Sequence, residues 1–297
     1  MFFAQVLDPD LGCAAYVLGD AGAAVAVDPG LDTGRLIAAA AAHGAVITTI
    51  AETHVHADHV SGRPLRPGDV LEAGAVRLEA LAAPGHRPEH LALLVTDWGR
   101  SRGPCLLLTG DSILVGDLAR PDLAVDGRDG ARRLHATVRR LAGLPGDLEL
   151  WPGHTGGSLC GGAGLEPRTS STLGYERRAN PLLTLPSAEV FADRLLTSLP
   201  ARPPNVAHVV ARNRSRAPAP RVAMRPLGAR EVAALVAAGA VVVDGRTAEA
   251  FDAAHLPGSL NLPLVGRGVG TRAAWALAPD AELVVAAADA AAGVELA

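Results

Sequence analysis

The run Thr53-His54-Val55-His56-Ala57-Asp58-His59 sets three imidazoles and a carboxylate within six residues, a density that core packing does not explain. Histidine and carboxylate bind first-row transition metals, and H-x-H-x-D-H spacing lets one turn after a strand present several of them without deforming regular structure. Three more candidate ligands stand beside glycine, in Pro84-Gly85-His86, Thr109-Gly110-Asp111 and Pro152-Gly153-His154. The isolated His43 and His135 read as ordinary helix or surface residues.

Ligands so far apart must be gathered by the fold. β-like runs at Ala24–Val27 and Ala45–Ile50 bracket a helical stretch from Thr33 to Ala42 that ends near Gly44. Further strands are expected at 76–81, 91–95, 105–108 and 148–150, most followed by Gly, Pro or Asp. His54, His86, Asp111 and His154 each follow one of these runs. Loops at one sheet edge are therefore expected to converge on one cleft, as ligand sites in α/β sheets do.

The 297 residues suggest two domains. Hydrophobic residues make up 49% and aromatics only 3%, so side chains are small and layered α/β packing is expected. A net charge of −4, with 27 basic and 31 acidic residues spread along the chain, argues against nucleic acid or an anionic membrane and for a small-molecule substrate. The first residues carry no basic region or long apolar run, which predicts an unexported protein. Cys13, Cys105 and Cys160, odd in number and irregularly spaced, predict a reducing compartment, with cytoplasm the expectation. A composition shift at Ala201-Arg202-Pro203-Pro204 and from Ala211 to Arg221 reads as a linker carrying solvated Arg212, Arg214, Arg216 and Arg221, with a new unit from about Val222.

In their order, the four ligand motifs resemble the successive metal motifs of the metallo-β-lactamase superfamily. All seven ligand positions are present, and the resemblance covers residues 1–180. It implies an α/β fold, the αββα sandwich with the metal at one edge. Ala51-Glu52-Thr53, the run from Gly116 to Leu123, Trp151-Pro152-Gly153-His154, Ser158-Leu159-Cys160-Gly161 and the run from Ser171 to Arg178 resemble the persulfide dioxygenase branch. That branch implies one Fe(II) per chain on His54, His86 and Asp111, with the opposite coordination face open to sulfur and dioxygen. The implied reaction turns a low-molecular-weight thiol persulfide, O2 and water into sulfite and the free thiol. His56, Asp58, His59 and His154 would then orient ligands, stabilise charge or move protons. The alternative is a thioester hydrolase of the glyoxalase II type, in which those four hold a second ion, two Zn or mixed metals in all.

Arg120, nine residues after Asp111, is a candidate for organising the metal loop, for pairing with a substrate carboxylate, or for an ion pair with Asp117 or Asp122. Tyr175, Arg177 and Arg178 either contact the thiol carrier or form a surface patch. Cys160 either carries sulfur near the site or is a small buried thiol. Only 26 residues separate His59 from His86, where the relatives usually carry an additional helix and strand. A deletion after Gly62 is expected, with Arg63 to Gly68 turning sharply into Asp69 and leaving a smaller sheet or a more open cleft wall. A homodimer is compatible with the sequence.

Val241-Val242-Val243-Asp244-Gly245-Arg246 and the run from Phe251 to Pro263 resemble the opening half of a rhodanese domain, over residues 224–297. Residues 181–223 then serve as a helical extension and linker. A working rhodanese needs a thiolate after a later strand. Here that strand is Glu282–Val285, followed by Ala286-Ala287-Ala288-Asp289, with no cysteine. The expectation is an incomplete, inactive unit serving as a docking or interface module, in which His255 belongs to the family turn.

Overall fold

The computed structural model describes residues 1–8, 11–30, 33–59, 65–215, 224–264 and 268–296. They form two compact units, Met1–Arg202 with Val206–Ala217, and Pro203–Asn205 with Pro218–Ala297.

The first unit opens with β1 (Phe2–Leu7), β2 (Ala14–Asp20), β3 (Ala23–Val27), α1 (Gly34–Ala42) and β4 (Val46–Ala51). Its first sheet has the order β1-β2-β3-β4, with β3 and β4 parallel and joined across α1, because a parallel pair needs a crossover. Then come β5 (Val70–Ala73), β6 (Val76–Ala82), β7 (Leu91–Asp97), β8 (Leu106–Gly110), α2 (Gly127–Leu141), β9 (Glu149–Pro152) and β10 (Ser171–Thr172). These strands make a second sheet of order β10-β9-β8-β7-β6-β5, in which α2 spans the parallel β8–β9 pair. Helices α3 (Leu173–Ala179), α4 (Ala188–Thr197) and α5 (Val206–Ser215) complete the unit.

The alternation Val76-Arg77-Leu78-Glu79-Ala80 on β6 buries its apolar members and leaves the charged ones at the rim. Tyr16, Leu18, Val25 and Val27 of the first sheet meet Val76, Leu78, Leu91, Leu93 and Leu108 of the second, so the sheets share one core. Leu36 and Ala40 of α1 cover the outer side of the first sheet at Val17 and Ala24. Leu134 and Val138 of α2, with Phe191 and Leu195 of α4, cover Ala92, Leu107 and Leu150 on the outer side of the second. The layers are therefore α, β, β, α. Strands β7 and β8 are buried on both faces, which is why they read as unbroken apolar runs.

Two differences from the sequence reading concern segments after residue 180. The first unit continues past that residue to include α4 and α5. The first part of the linker expected from Ala211 is helical, since α5 runs to Ser215 and carries Arg212 and Arg214. No proline interrupts the chain there before Pro218, and Val206 and Val210 anchor the helix on Ala57 and Leu123. Arg216, Arg221 and Val222 lie outside the described residues, as do Gly62, Arg63 and Pro64 of the shortened interval. The described part of that interval holds β5 and β6.

The second unit comprises α6 (Ala229–Ala237), β11 (Val241–Asp244), α7 (Ala248–Ala253), β12 (Leu260–Asn261), α8 (Val269–Ala276), β13 (Leu283–Ala286) and α9 (Ala290–Leu296). Its three strands are parallel in the order β12-β11-β13. Val242 and Val284 pack on Val232 and Leu235 of α6. Asn261 Nδ2 donates to the carbonyls of Asp244 and Arg246 and so fixes the turn after β11. No helix among the described residues is long and apolar enough to cross a membrane.

Candidate metal centre

His54 stands just beyond β4, His86 beyond β6, Asp111 beyond β8 and His154 beyond β9. The strands bring them together: Asp111 Oδ2 lies 3.5 Å from His86 Nε2 and 3.9 Å from His54 Nε2. Gly110 permits this approach. Its φ is +48°, and a Cβ there would sit 2.7 Å from His90 Nε2 and 3.0 Å from Thr53 Oγ1.

The hydrogen-bond network assigns the tautomers. Asp28 accepts from Thr53 N at 2.6 Å and from Thr53 Oγ1 at 2.8 Å. With its proton given to Asp28, the Thr53 hydroxyl accepts from His54 Nδ1 at 2.9 Å, and His54 Nε2 keeps its lone pair towards Asp111. His86 Nδ1 donates to the Arg120 carbonyl at 2.8 Å, with the same result. His90 Nδ1 donates to the Ala83 carbonyl, and its Nε2 accepts from Asp111 N at 2.8 Å, fixing the backbone that carries the carboxylate.

Burial, helped by neighbouring imidazoles, drives His54 below its ordinary pKa. Burial likewise lowers His86, and it takes His90 to about 4. Neutral imidazoles are the metal-binding form. Burial would raise Asp111, but the charge and hydrogen bond of His154, with His86, hold it well below the usual carboxylate range. His86 Nε2 and Asp111 Oδ2 are buried with no hydrogen-bond partner among the described residues. A lone pair and a carboxylate oxygen sealed from water and facing each other are what a divalent cation satisfies, so the residues fit a metal ion.

Beside this trio lies a second group. His154 bonds Asp111 Oδ1 through Nδ1 and Asp58 Oδ2 through Nε2, both at 2.7 Å. Burial would lower it, yet the charge of Asp111, helped by Asp58, raises it well above its ordinary value. His59 Nδ1 lies 3.2 Å from Asp58 Oδ1. Cys13 Sγ sits among the same side chains, 3.1 Å from Asp58, 3.2 Å from His154 Nε2 and 3.8 Å from His59. His56 stands between two groups, with Nδ1 3.9 Å from Asp58 Oδ1 and Nε2 3.3 Å from Asp28 and 3.4 Å from Glu52. Burial opposes its charge, but Asp28 and Glu52 prevail and push it up to about 10. Asn213 of α5 donates to the carbonyls of His56 and His59, both at 2.9 Å, and pins the ligand loop.

Arg120 is buried and bidentate on Asp122, at 2.7 and 2.8 Å, so of its expected ion pairs the structure shows the one with Asp122. It reaches the centre through its carbonyl, which accepts from His86. Cys160 is buried in a group with Asp111 and His154, and burial pushes its thiol up to about 11. Tyr175 is exposed beneath the Arg168 guanidinium, 4.8 Å from the ring centroid. Arg177 donates to the Leu144 carbonyl, and Arg178 is exposed. His43 stacks on Phe2, and His135 meets Phe191 edge-on. Sequence reasoning missed Cys13, Asp28, Arg87 and His90. Only His90, four residues after His86, carried a local signal.

The family model described as the metallo-beta-lactamase superfamily matches residues 8–65. A hydroxyacylglutathione hydrolase of Anaeromyxobacter dehalogenans is 33% identical over 227 residues, 60% of this chain and 84% of that protein. The chain belongs to the metallo-β-lactamase superfamily. Another superfamily relative, the mitochondrial persulfide dioxygenase ETHE1 of Bos taurus, is 29% identical over 215 residues, 63% of this chain and 77% of that protein. A solved metallo-β-lactamase from Staphylococcus aureus subsp. aureus COL is 28% identical, with a TM-score of 0.86 over 99% of this chain and 93% of that one. The superfamily's mixed α/β fold and metal-binding clusters are thus both present here.

Proposed function

We propose that this chain is an iron-dependent persulfide dioxygenase acting on a low-molecular-weight thiol persulfide. One observation carries the reading. Asp111 Oδ1 accepts a hydrogen bond from His154, while the Cys13 thiol stands among Asp58, His59 and His154. His54, His86 and Asp111 form one three-ligand set, two imidazoles and a carboxylate. Fe(II), if held by these three side chains, would supply the redox chemistry that joins a persulfide sulfur to dioxygen. The balanced reaction takes RSSH, O2 and H2O to RSH, sulfite and two protons.

In this reading Thr53 and the Arg120 carbonyl hold the two imidazoles in their metal-facing tautomers. The Asp111–His154–Asp58 chain, continuous at 2.7 Å per step, can carry a proton away from the centre. The second unit we read as a rhodanese-like module without catalysis, since all three cysteines of the chain lie before residue 161. The clustering of His56, Asp58 and His59 favours a second reading, a dinuclear thioester hydrolase of the glyoxalase II type.

Anaerobic purification, metal analysis, and parallel measurement of oxygen uptake and sulfite release with several thiol persulfides separate the two. The expected result is one iron per chain, uptake matched by sulfite, and loss of both in His54→Ala. Two metals per chain with oxygen-independent thioester cleavage would establish the hydrolase instead.

A further inference from the structure

We propose that Arg87 is an oxyanion-binding group beside the metal centre. The inference deepens the function proposed above and rests on it for the identity of the anion. Arg87 directly follows His86, and its side chain is 1% exposed. Its Nε donates to Glu89 Oε1 at 2.7 Å. Glu89 Oε1 also accepts from Val55 N, the residue after His54, so Glu89 ties the arginine to both loops that carry the histidine ligands. Nη1 and Nη2 are buried and have no hydrogen-bond partner among the described residues.

A guanidinium carries five N–H donors, and here one is used. Burying the remaining four without acceptors is among the most unfavourable arrangements a fold can hold. Arg120, whose carbonyl accepts from His86, shows the satisfied case, with Nε and Nη2 on Asp122 and Nη1 on the Ala201 carbonyl. The Nη1–Nη2 fork left open on Arg87 matches the paired oxygens of a carboxylate or of sulfite. Under the proposed reaction, two ligands bring such oxygens: the sulfite product and a carboxylate of the thiol carrier.

The test uses the metal-loaded full chain with Arg87→Met and Arg87→Lys. Sulfite and S-methylglutathione, a thioether bearing carrier carboxylates, are titrated calorimetrically without turnover. Thermal midpoint and metal content are read on the same samples. Arg87→Met should bind at least one probe about tenfold more weakly, and Arg87→Lys should fall between it and the parent because a point charge replaces a fork. Loss in the sulfite arm alone identifies the product. Loss with S-methylglutathione identifies the carrier. Without added anion, Arg87→Met should melt no lower than the parent, because removing four buried N–H donors that lack acceptors offsets the lost pair with Glu89, which is itself partly exposed. Unchanged affinity for both probes overturns the proposal, as does loss of metal from the variant, which would make Arg87 a support for the centre. If Arg87→Met does not fold, parental binding of both probes by Arg87→Lys overturns it as well. Absence of oxygen uptake would sink the dioxygenase reading and leave this binding result standing.

Discussion

Replacing Asp28 by asparagine tests whether the centre is prepared by the network behind it. The Asp28 carboxylate accepts from Thr53 N and Thr53 Oγ1 and faces His56 Nε2 at 3.3 Å. Burial alone would raise its pKa, but the His56 charge and the Thr53 bonds lower it, so it is ionised in the fold. In Asp28→Asn the new side-chain amide would keep an acceptor for Thr53 N and turn its N–H2 towards the hydroxyl. The hydroxyl would then accept from that amide and aim its own proton at His54 Nδ1, forcing the imidazole proton onto the metal-facing Nε2. Second-layer changes of this kind reduce metal affinity about 10- to 100-fold. The broken His56 pair and the lost charge-assisted bond overlap, and together cost about 3 kcal/mol of stability. Urea unfolding measures the stability, and competition with a chromophoric chelator measures the affinity. Thr53→Val serves as control, expected to lose affinity while keeping the Asp28–His56 pair and most of the stability. Parental metal affinity in a folded Asp28→Asn protein would refute the tautomer argument.

Gly110→Ala should lose about 2–3 kcal/mol and weaken metal binding, because its Cβ meets His90 and Thr53 in a left-handed backbone; urea titration and metal analysis check this. His90→Gln should alter the acid limb of stability. The His90 pKa is depressed from 6.5 to about 4, so its contribution is present above pH 6.5 and is lost as pH falls from 6.5 to 4. That contribution amounts to about 3 kcal/mol, so the variant's unfolding free energy should fall less steeply than the parent's across this window.

The strands that carry the ligands were legible because apolar runs ending in Gly, Pro or Asp leave a local trace. β6 and β8 lie within two residues of the runs that mark them. β1 has no alternation to read, as all six of its residues are half-buried, and β5 is only four residues long. The ligand side chains were equally plain, but their supports were not. Asp28 stands 25 residues from Thr53, Cys13 stands 45 from Asp58, and each pair meets only when the first sheet and the ligand loop close on each other. The arginines divide in the same manner. Arg120 was visible in a run with Asp122, whereas the open fork of Arg87 depends on what is absent around it, which no spacing encodes.

The Asn213 side chain closes two carbonyls of the ligand loop from 154 and 157 positions downstream. Such long closures form late in folding, because loop entropy must first be overcome. The two carbonyls therefore stay open until α5 has formed and docked on the loop. A chain cut at residue 180 would keep every ligand side chain and lose the clasp that sets them.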